Sequence, residues 1–233
     1  MSWKINDYYE LISTEDMYEG AKEDELYSYE YTLEILEKAL KQYPKGFFDM
    51  FKDYRNVGGM RFVLVGDLKN NAGSFVAGGV SSDVGCWRNI VFDIDAPSES
   101  TPHHEIWHSV EAQIRLRDPE AFSNEEWDAL NPKGFKYSNN FDKYLVDSMK
   151  YDDYILTRSF GETPGYFIEP YSTVNGQEDR ATLIEPIMTD DIFLYTEGAY
   201  PSSKDYVESF PALVAKLKYM EEQYERWFGE KYW

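Results

Sequence analysis

The sequence predicts an α+β fold: a small twisted sheet packed on a central helix, followed by a mainly helical C-terminal lobe. Three observations carry this. Short β-rich runs at Arg61–Val65, Ser74–Val80 and Arg88–Ile94 follow one helical pattern and precede another. Ile106, Val110 and Ile114 then recur every four residues, the spacing of a buried stripe on a helix. Near the C-terminus Leu213, Leu217, Met220 and Tyr224 repeat the same period. The chain of 233 residues suits one domain with two lobes, a strand-bearing lobe over 1–116 and an irregular and helical lobe over 117–233.

The elements follow in order. Residues 1–30 are acidic and tyrosine-rich, with weak helical patterning that wraps the domain. From Tyr31 to Tyr43, Leu33, Ile35, Leu36 and Leu40 predict an amphipathic helix, ended by Pro44-Lys45-Gly46. A short helical piece around Phe47–Tyr54 stops before Gly58-Gly59, and Asp67–Gly73 reads as a loop. The two glycines of the Ser74–Val80 strand mark a place where another backbone approaches closely.

Ala96-Pro97-Ser98 leads into the central helix. Ser100 and Thr101 supply capping hydroxyls and Pro102 sits at the first helical position, so the helix runs from about Pro102 to Arg115. Beyond Arg117 the pattern weakens. Asn124–Leu130 is one or two helical turns, Asn131-Pro132-Lys133-Gly134 is turn chemistry, and 132–170 forms a long irregular connection over the cleft. Helix resumes at Gln177–Ile184, with Pro186 expected to end or kink it, and a last helix covers Val207–Phe228.

Composition narrows the function. With 23 basic against 43 acidic residues the formal charge is −20, which argues against nucleic acid or an anionic membrane as partner. The same field favours cationic peptides in a cleft. Cys86 is the sole cysteine, so no internal disulfide can form and the compartment stays open. The N-terminal Met1–Asp7 shows no signal-like apolar stretch, and no window is long enough to span a bilayer. The chain is therefore expected to be soluble, without membrane insertion.

All three histidines fall within Pro102-His103-His104-Glu105-Ile106-Trp107-His108. His104 and His108 are four residues apart, so a helix projects both imidazoles from one face. Two neutral imidazoles can hold a zinc ion, and Glu105 at the edge of that face can take a proton from a water that the ion acidifies. His103 falls outside the spacing and is expected to pack. A catalytic zinc needs a third protein ligand and one open position. With no histidine left, that ligand is a carboxylate or Cys86, and composition does not choose among them.

The segment Tyr171–Glu185 adds a second motif. Glu178 opens an amphipathic helix about seventy residues after His108, and Tyr171 stands seven residues before it. This combination resembles the gluzincin zinc peptidases, in particular the group similar to the catalytic domain of anthrax lethal factor and the proline-specific secreted endopeptidases. The resemblance covers roughly 60–190 and is specific at the two motifs alone. It implies a zincin-like fold in which His104, His108 and Glu178 hold one zinc, Glu105 is the general base and Tyr171 faces the scissile carbonyl. The chain departs from the family after Glu178, where Asp179-Arg180 and then Pro186 replace the usual aromatic and small residues. Glu185 competes with Glu178 as ligand, although the tyrosine spacing supports only Glu178.

Asp179 can orient a ligating imidazole, pair with Arg180 or sit as a charge at the helix N-terminus, and Glu111 can reach the metal region, support a ligand from behind or sit in solvent. The pairs Asp152-Asp153 and Asp190-Asp191 lack calcium-loop spacing and read as surface. The expected activity is zinc-dependent hydrolysis of a peptide or protein substrate, extended along the glycine-bearing strand Ser74–Val80. Other readings are a zinc-binding protein without turnover, an acidic cell-surface interaction domain, and a hydrolase of non-peptide amides or esters. By the same resemblance an extracellular or cell-surface location is expected. Oligomeric state has no signal in the sequence.

Overall fold

A computed structural model of the chain describes residues 2–6, 9–12, 23–52, 58–66, 68, 78–84, 86–159, 164–190 and 200–229. Most of the anticipated loop 67–73, the first four residues of the Ser74–Val80 strand and much of 1–30 lie outside these, as does Asp191. The architecture is mixed α+β, a small sheet with a mostly helical remainder. The chain divides into two compact units, Met1–Ser109 and Val110–Trp233. Among the described residues no helix is long and apolar enough to cross a membrane.

In the first unit, strands β1 (Ser2–Asn6), β2 (Tyr9–Ile12), β3 (Gly59–Val65), β4 (Gly79–Val84) and β5 (Trp87–Asp93) form one sheet in the order β1-β2-β3-β5-β4. Its heart is β3, β5 and β4. β3 runs parallel to β5 from Gly59↔Trp87 to Val65↔Asp93, and β4 runs antiparallel to β5 from Gly79↔Phe92 to Val84↔Trp87. Alternation along β3 buries Met60, Phe62 and Leu64 while Arg61, Val63 and Val65 stay half-buried. One face of the sheet is therefore core, as strand periodicity requires. On that face the rings of Phe62 and Phe92 stack with centroids 6.2 Å apart.

Helix α1 (Glu23–Leu40) and the start of α2 (Thr101–Arg117) pack beside β5. Thr32, Ile35, Leu36, Phe92, Thr101 and Pro102 line one small shared cavity there. Gly58 answers for the bend into β3: its φ is +88°, and a Cβ there would sit 2.1 Å from the Cys86 carbonyl oxygen. The glycine-bearing strand is β4, displaced toward the C-terminus from its expected place, and it closes the described sheet at one edge. Both side chains and backbone approach the glycines at its start, the Ala96 carbonyl oxygen lying 3.4 Å from a Cβ placed on Gly78. A Cβ on Gly78 would lie 3.2 Å from Thr101 Oγ1, and one on Gly79 2.8 Å from Thr101 Cγ2.

The second unit is helical. α3 (Asn124–Asp128) is capped by Ser123, whose hydroxyl accepts from the Glu126 N–H. The connection 132–170 is irregular only in part: α4 (Tyr144–Asp147), a 3-10 segment (Ser148–Tyr154) and α5 (Leu156–Ser159) run through it. Aromatic packing organises it. Phe135 touches Tyr137, Tyr151 and Phe167 at centroid distances of 4.9, 4.7 and 4.5 Å. Polar composition concealed these long-range contacts from a local reading.

A 3-10 turn (Pro170–Thr173) precedes α6 (Gly176–Met188). Pro186 does not end α6, which continues to Met188. The proline removes one backbone donor close to the C-terminus, where few helical bonds remain to be lost. The expected last helix is two, α7 (Ser203–Glu208) and α8 (Pro211–Phe228). Pro211 excludes the helical conformation at Phe210, which is extended at φ −103°, ψ 112°. The stripe Leu213, Leu217, Met220 and Tyr224 is buried, as its period predicts.

Candidate metal centre

Helix α2 begins one residue before the expected start and carries all three histidines in its first half. The N–H groups of His103 and His104 both donate to the Ser100 carbonyl, at 3.0 and 3.1 Å, so the serine turn opens the helix. Ile106, Trp107, Val110 and Ile114 are buried, which fixes the helix rotation and with it the direction of the histidines.

His104 and His108 meet as the i, i+4 spacing requires. Their Nε2 atoms are 3.0 Å apart and their rings stand nearly perpendicular, at 82°. Two nitrogens bound to one tetrahedral zinc at about 2.0–2.1 Å would lie about 3.3 Å apart. The observed separation needs only a small opening to match it. The same geometry also suits one imidazole donating Nε2–H to the other.

Glu178 completes a triad. One ligand atom each from His104, His108 and Glu178 lies within 4.8 Å of the others, and among the described residues this is the grouping of metal-binding side chains present. Glu185 and Cys86 are not part of it. Two imidazoles and one carboxylate form a donor set suited to a divalent metal with an open position. Glu178 stands in the first turn of α6, where the Asn175 side chain accepts from the Gln177 and Glu178 N–H groups at 2.8 and 3.0 Å. That cap sets where the helix begins and so where Glu178 falls.

Glu105 is buried, and its side chain lies along Gly79 on edge strand β4. Tyr171 is half-buried on the 3-10 turn before α6; its ring meets Tyr144 edge-on at 5.2 Å and Phe141 at 6.2 Å. That turn is tied to α6 by the buried Ser172 and Thr182 hydroxyls, 2.7 Å apart. Thr182 in turn donates to the Glu178 carbonyl at 2.9 Å.

Of the neighbouring residues, His103 behaves as expected. His103 packs: it is buried, its ring stacks on Tyr43, and its Nδ1 lies 2.9 Å from the Tyr43 hydroxyl. Burial lowers its pKa to about 4, so it is neutral near pH 7. Asp179 stands in the first turn of α6, the helix N-terminal charge among its expected roles, and its hydrogen bonds go neither to an imidazole nor to Arg180. Its Oδ2 accepts from Tyr137 at 2.6 Å, Lys216 at 2.7 Å and Trp127 at 3.0 Å. Burial pushes the Asp179 carboxyl up and the Lys216 ammonium down, while their attraction opposes both shifts.

Glu111 is not solvated. It accepts from Arg180 Nε and Nη2, both at 2.7 Å, with both side chains buried. Sequence reasoning missed both buried pairs. One signal was present for Lys216, which falls on the α8 stripe between Leu213 and Leu217 and so had to be buried. No protein-family model matches the chain, and neither a curated protein nor a solved structure does.

Proposed function

We propose that this chain is a zincin-like, zinc-dependent metallopeptidase holding one zinc through His104, His108 and Glu178. The observation that carries the reading is the gathering of these three ligand atoms within 4.8 Å, with Glu105 on α2 in sequence between the two histidines. Two imidazoles alone would suit many roles. Adding one carboxylate and an acid–base glutamate narrows the chemistry to metal-assisted hydrolysis.

When bound, zinc would supply Lewis acidity, polarising a peptide carbonyl and lowering the pKa of water toward about 7. The chain's own residues do the rest. Glu105 accepts the proton of the attacking water and returns it to the leaving amine. Its burial beside Gly79 limits competing solvent and restricts the carboxylate to few orientations. Tyr171 donates a hydrogen bond to the carbonyl oxygen as negative charge develops there. Among the described residues β4 lies at an edge of the sheet, and there an extended peptide adds as a further strand.

The test uses untagged protein. Metal analysis is expected to return about one zinc per chain, and a peptide library is expected to be cleaved without chelator and spared with it. Zinc-free protein that resists zinc loading would sink the proposal. Cleavage unaffected by chelator would sink it equally, and zinc binding without cleavage of any peptide would favour a binding protein on the same scaffold.

A further inference from the structure

We infer that Glu111 and Arg180 act as a positioning clamp, holding Glu178 in register with His104 and His108; this rests on the metal site proposed above. Glu111 lies on α2 three residues after His108, on nearly the same face. Arg180 lies on α6 two residues after Glu178. The two helices that carry the ligands are thus joined by a bond adjacent to those ligands.

The bond is of the orienting kind. Arg180 presents Nε and Nη2 to the two oxygens of Glu111 in a fork, and Arg115 Nε adds a third donor at 2.9 Å. Arg115 is itself held by the Phe122 carbonyl at 2.6 Å. The Arg180 guanidinium also lies 5.1 Å from the Trp127 ring and 5.5 Å from that of Phe122. Neither charge has freedom to move. A planar fork fixes direction as well as distance, which a single ammonium contact does not.

Stability alone does not account for such a pair. Burying two charges costs about as much as their attraction returns, and apolar replacement of a buried pair is often neutral. Orientation does account for it. Side chains two residues apart leave a helix about 200° from each other, so a bond through Arg180 sets the rotation of α6 about its axis. Glu178, on the other side of that helix, turns with it. Metal ligands need placement to about 0.5 Å, a tolerance that a sliding helix would exceed.

The test compares wild type with the double variant Glu111→Met/Arg180→Met, which removes both charges at similar volume, and with Arg180→Lys, which keeps the charge and loses the fork. Zinc affinity is read by chelator competition, and coordination by the visible absorption of cobalt-loaded protein. Folding is followed by circular dichroism. Both variants are expected to fold and to bind zinc about 10–100-fold more weakly, with diminished tetrahedral cobalt bands. Folded variants with wild-type affinity and wild-type bands overturn the clamp while leaving the metal site standing. Wild type that takes up neither metal overturns the metal site itself, and the clamp with it.

Discussion

Gly79 stands against Glu105 so closely that a Cβ added to it would lie 2.9 Å from the glutamate Cγ and 3.3 Å from Oε1. A strand residue with no side chain therefore sets the space in which the proposed base operates. Gly79→Ala must push Glu105 aside, because real Cβ atoms do not approach that closely. Turnover is expected to fall by about 10–100-fold, the cost of misplacing a reacting group by about an ångström. Zinc content should be unchanged, since no ligand moves. Steady-state kinetics with metal analysis checks this; an alanine variant of full activity would show that Glu105 is not the base.

Glu105→Gln keeps the shape of the side chain and removes its basicity. The variant is expected to hold zinc normally and lose about 10²–10⁴-fold in turnover. Activity close to wild type would reassign the proton transfer.

Glu178→Ala removes a ligand and should weaken zinc binding by more than about 100-fold, beyond what losing an outer hydrogen-bond partner costs. Glu185→Ala should leave affinity as it is, because Glu185 is outside the triad. Titration with a competing chelator separates the two, and the opposite ranking would transfer the ligand role. Tyr171→Phe, by contrast, should retain zinc and lower kcat by about 10²–10³-fold, the effect of removing one oxyanion donor. A normal rate would leave the tyrosine with only its packing against Tyr144 and Phe141.

Lys216→Met tests the second buried pair. Lys216 Nζ donates to Asp179 at 2.7 Å and to the Tyr166 carbonyl at 2.8 Å, and both charged side chains are buried. Removing the cation strands a buried carboxylate, and unfolding stability should drop by about 3–5 kcal/mol. Urea denaturation measures the change; a loss under about 1 kcal/mol would mean that Tyr137 and Trp127 suffice to hold Asp179.

Tyr219 gives a pH dependence. Burial, reinforced by Glu126 whose carboxylate lies 3.2 Å from the hydroxyl, pushes its pKa up to about 12. An unfolded tyrosine titrates near 10. Between about pH 10 and 12 the folded chain keeps a proton that the unfolded chain has lost, so stability falls as pH rises through this window. Tyr219→Phe should lose less stability across it than wild type, measured by denaturant titrations at several alkaline pH values. Parallel slopes for the two proteins would remove this group as a contributor.

Local order was legible wherever period and punctuation coincide. Pro102 and the Ile106, Val110, Ile114 repeat located α2 to within a few residues, and the β-rich runs located β3 and β5. The His104/His108 contact follows from helix geometry alone, since residues four apart share a face. The break at Phe210 was written in Pro211 and overlooked within a strong stripe. The short helices of 132–170 were hidden because their stability comes from partners distant in the chain, such as Phe167 against Phe135.

What the sequence determined by itself is the helix, the pair of imidazoles on it and the place of Glu105 between them, because all three depend on a repeat of 3.6 residues. Glu178 and Glu185 are one face-repeat apart, so periodicity gives them the same standing. Only the tertiary structure separated them, because a ligand atom of Glu178 and none of Glu185 groups with those of His104 and His108. The partners of Asp179, Glu111, Arg180 and Lys216 were likewise decided there: a buried charge takes whichever opposite charge the packing brings within reach, and packing is a property of the whole chain.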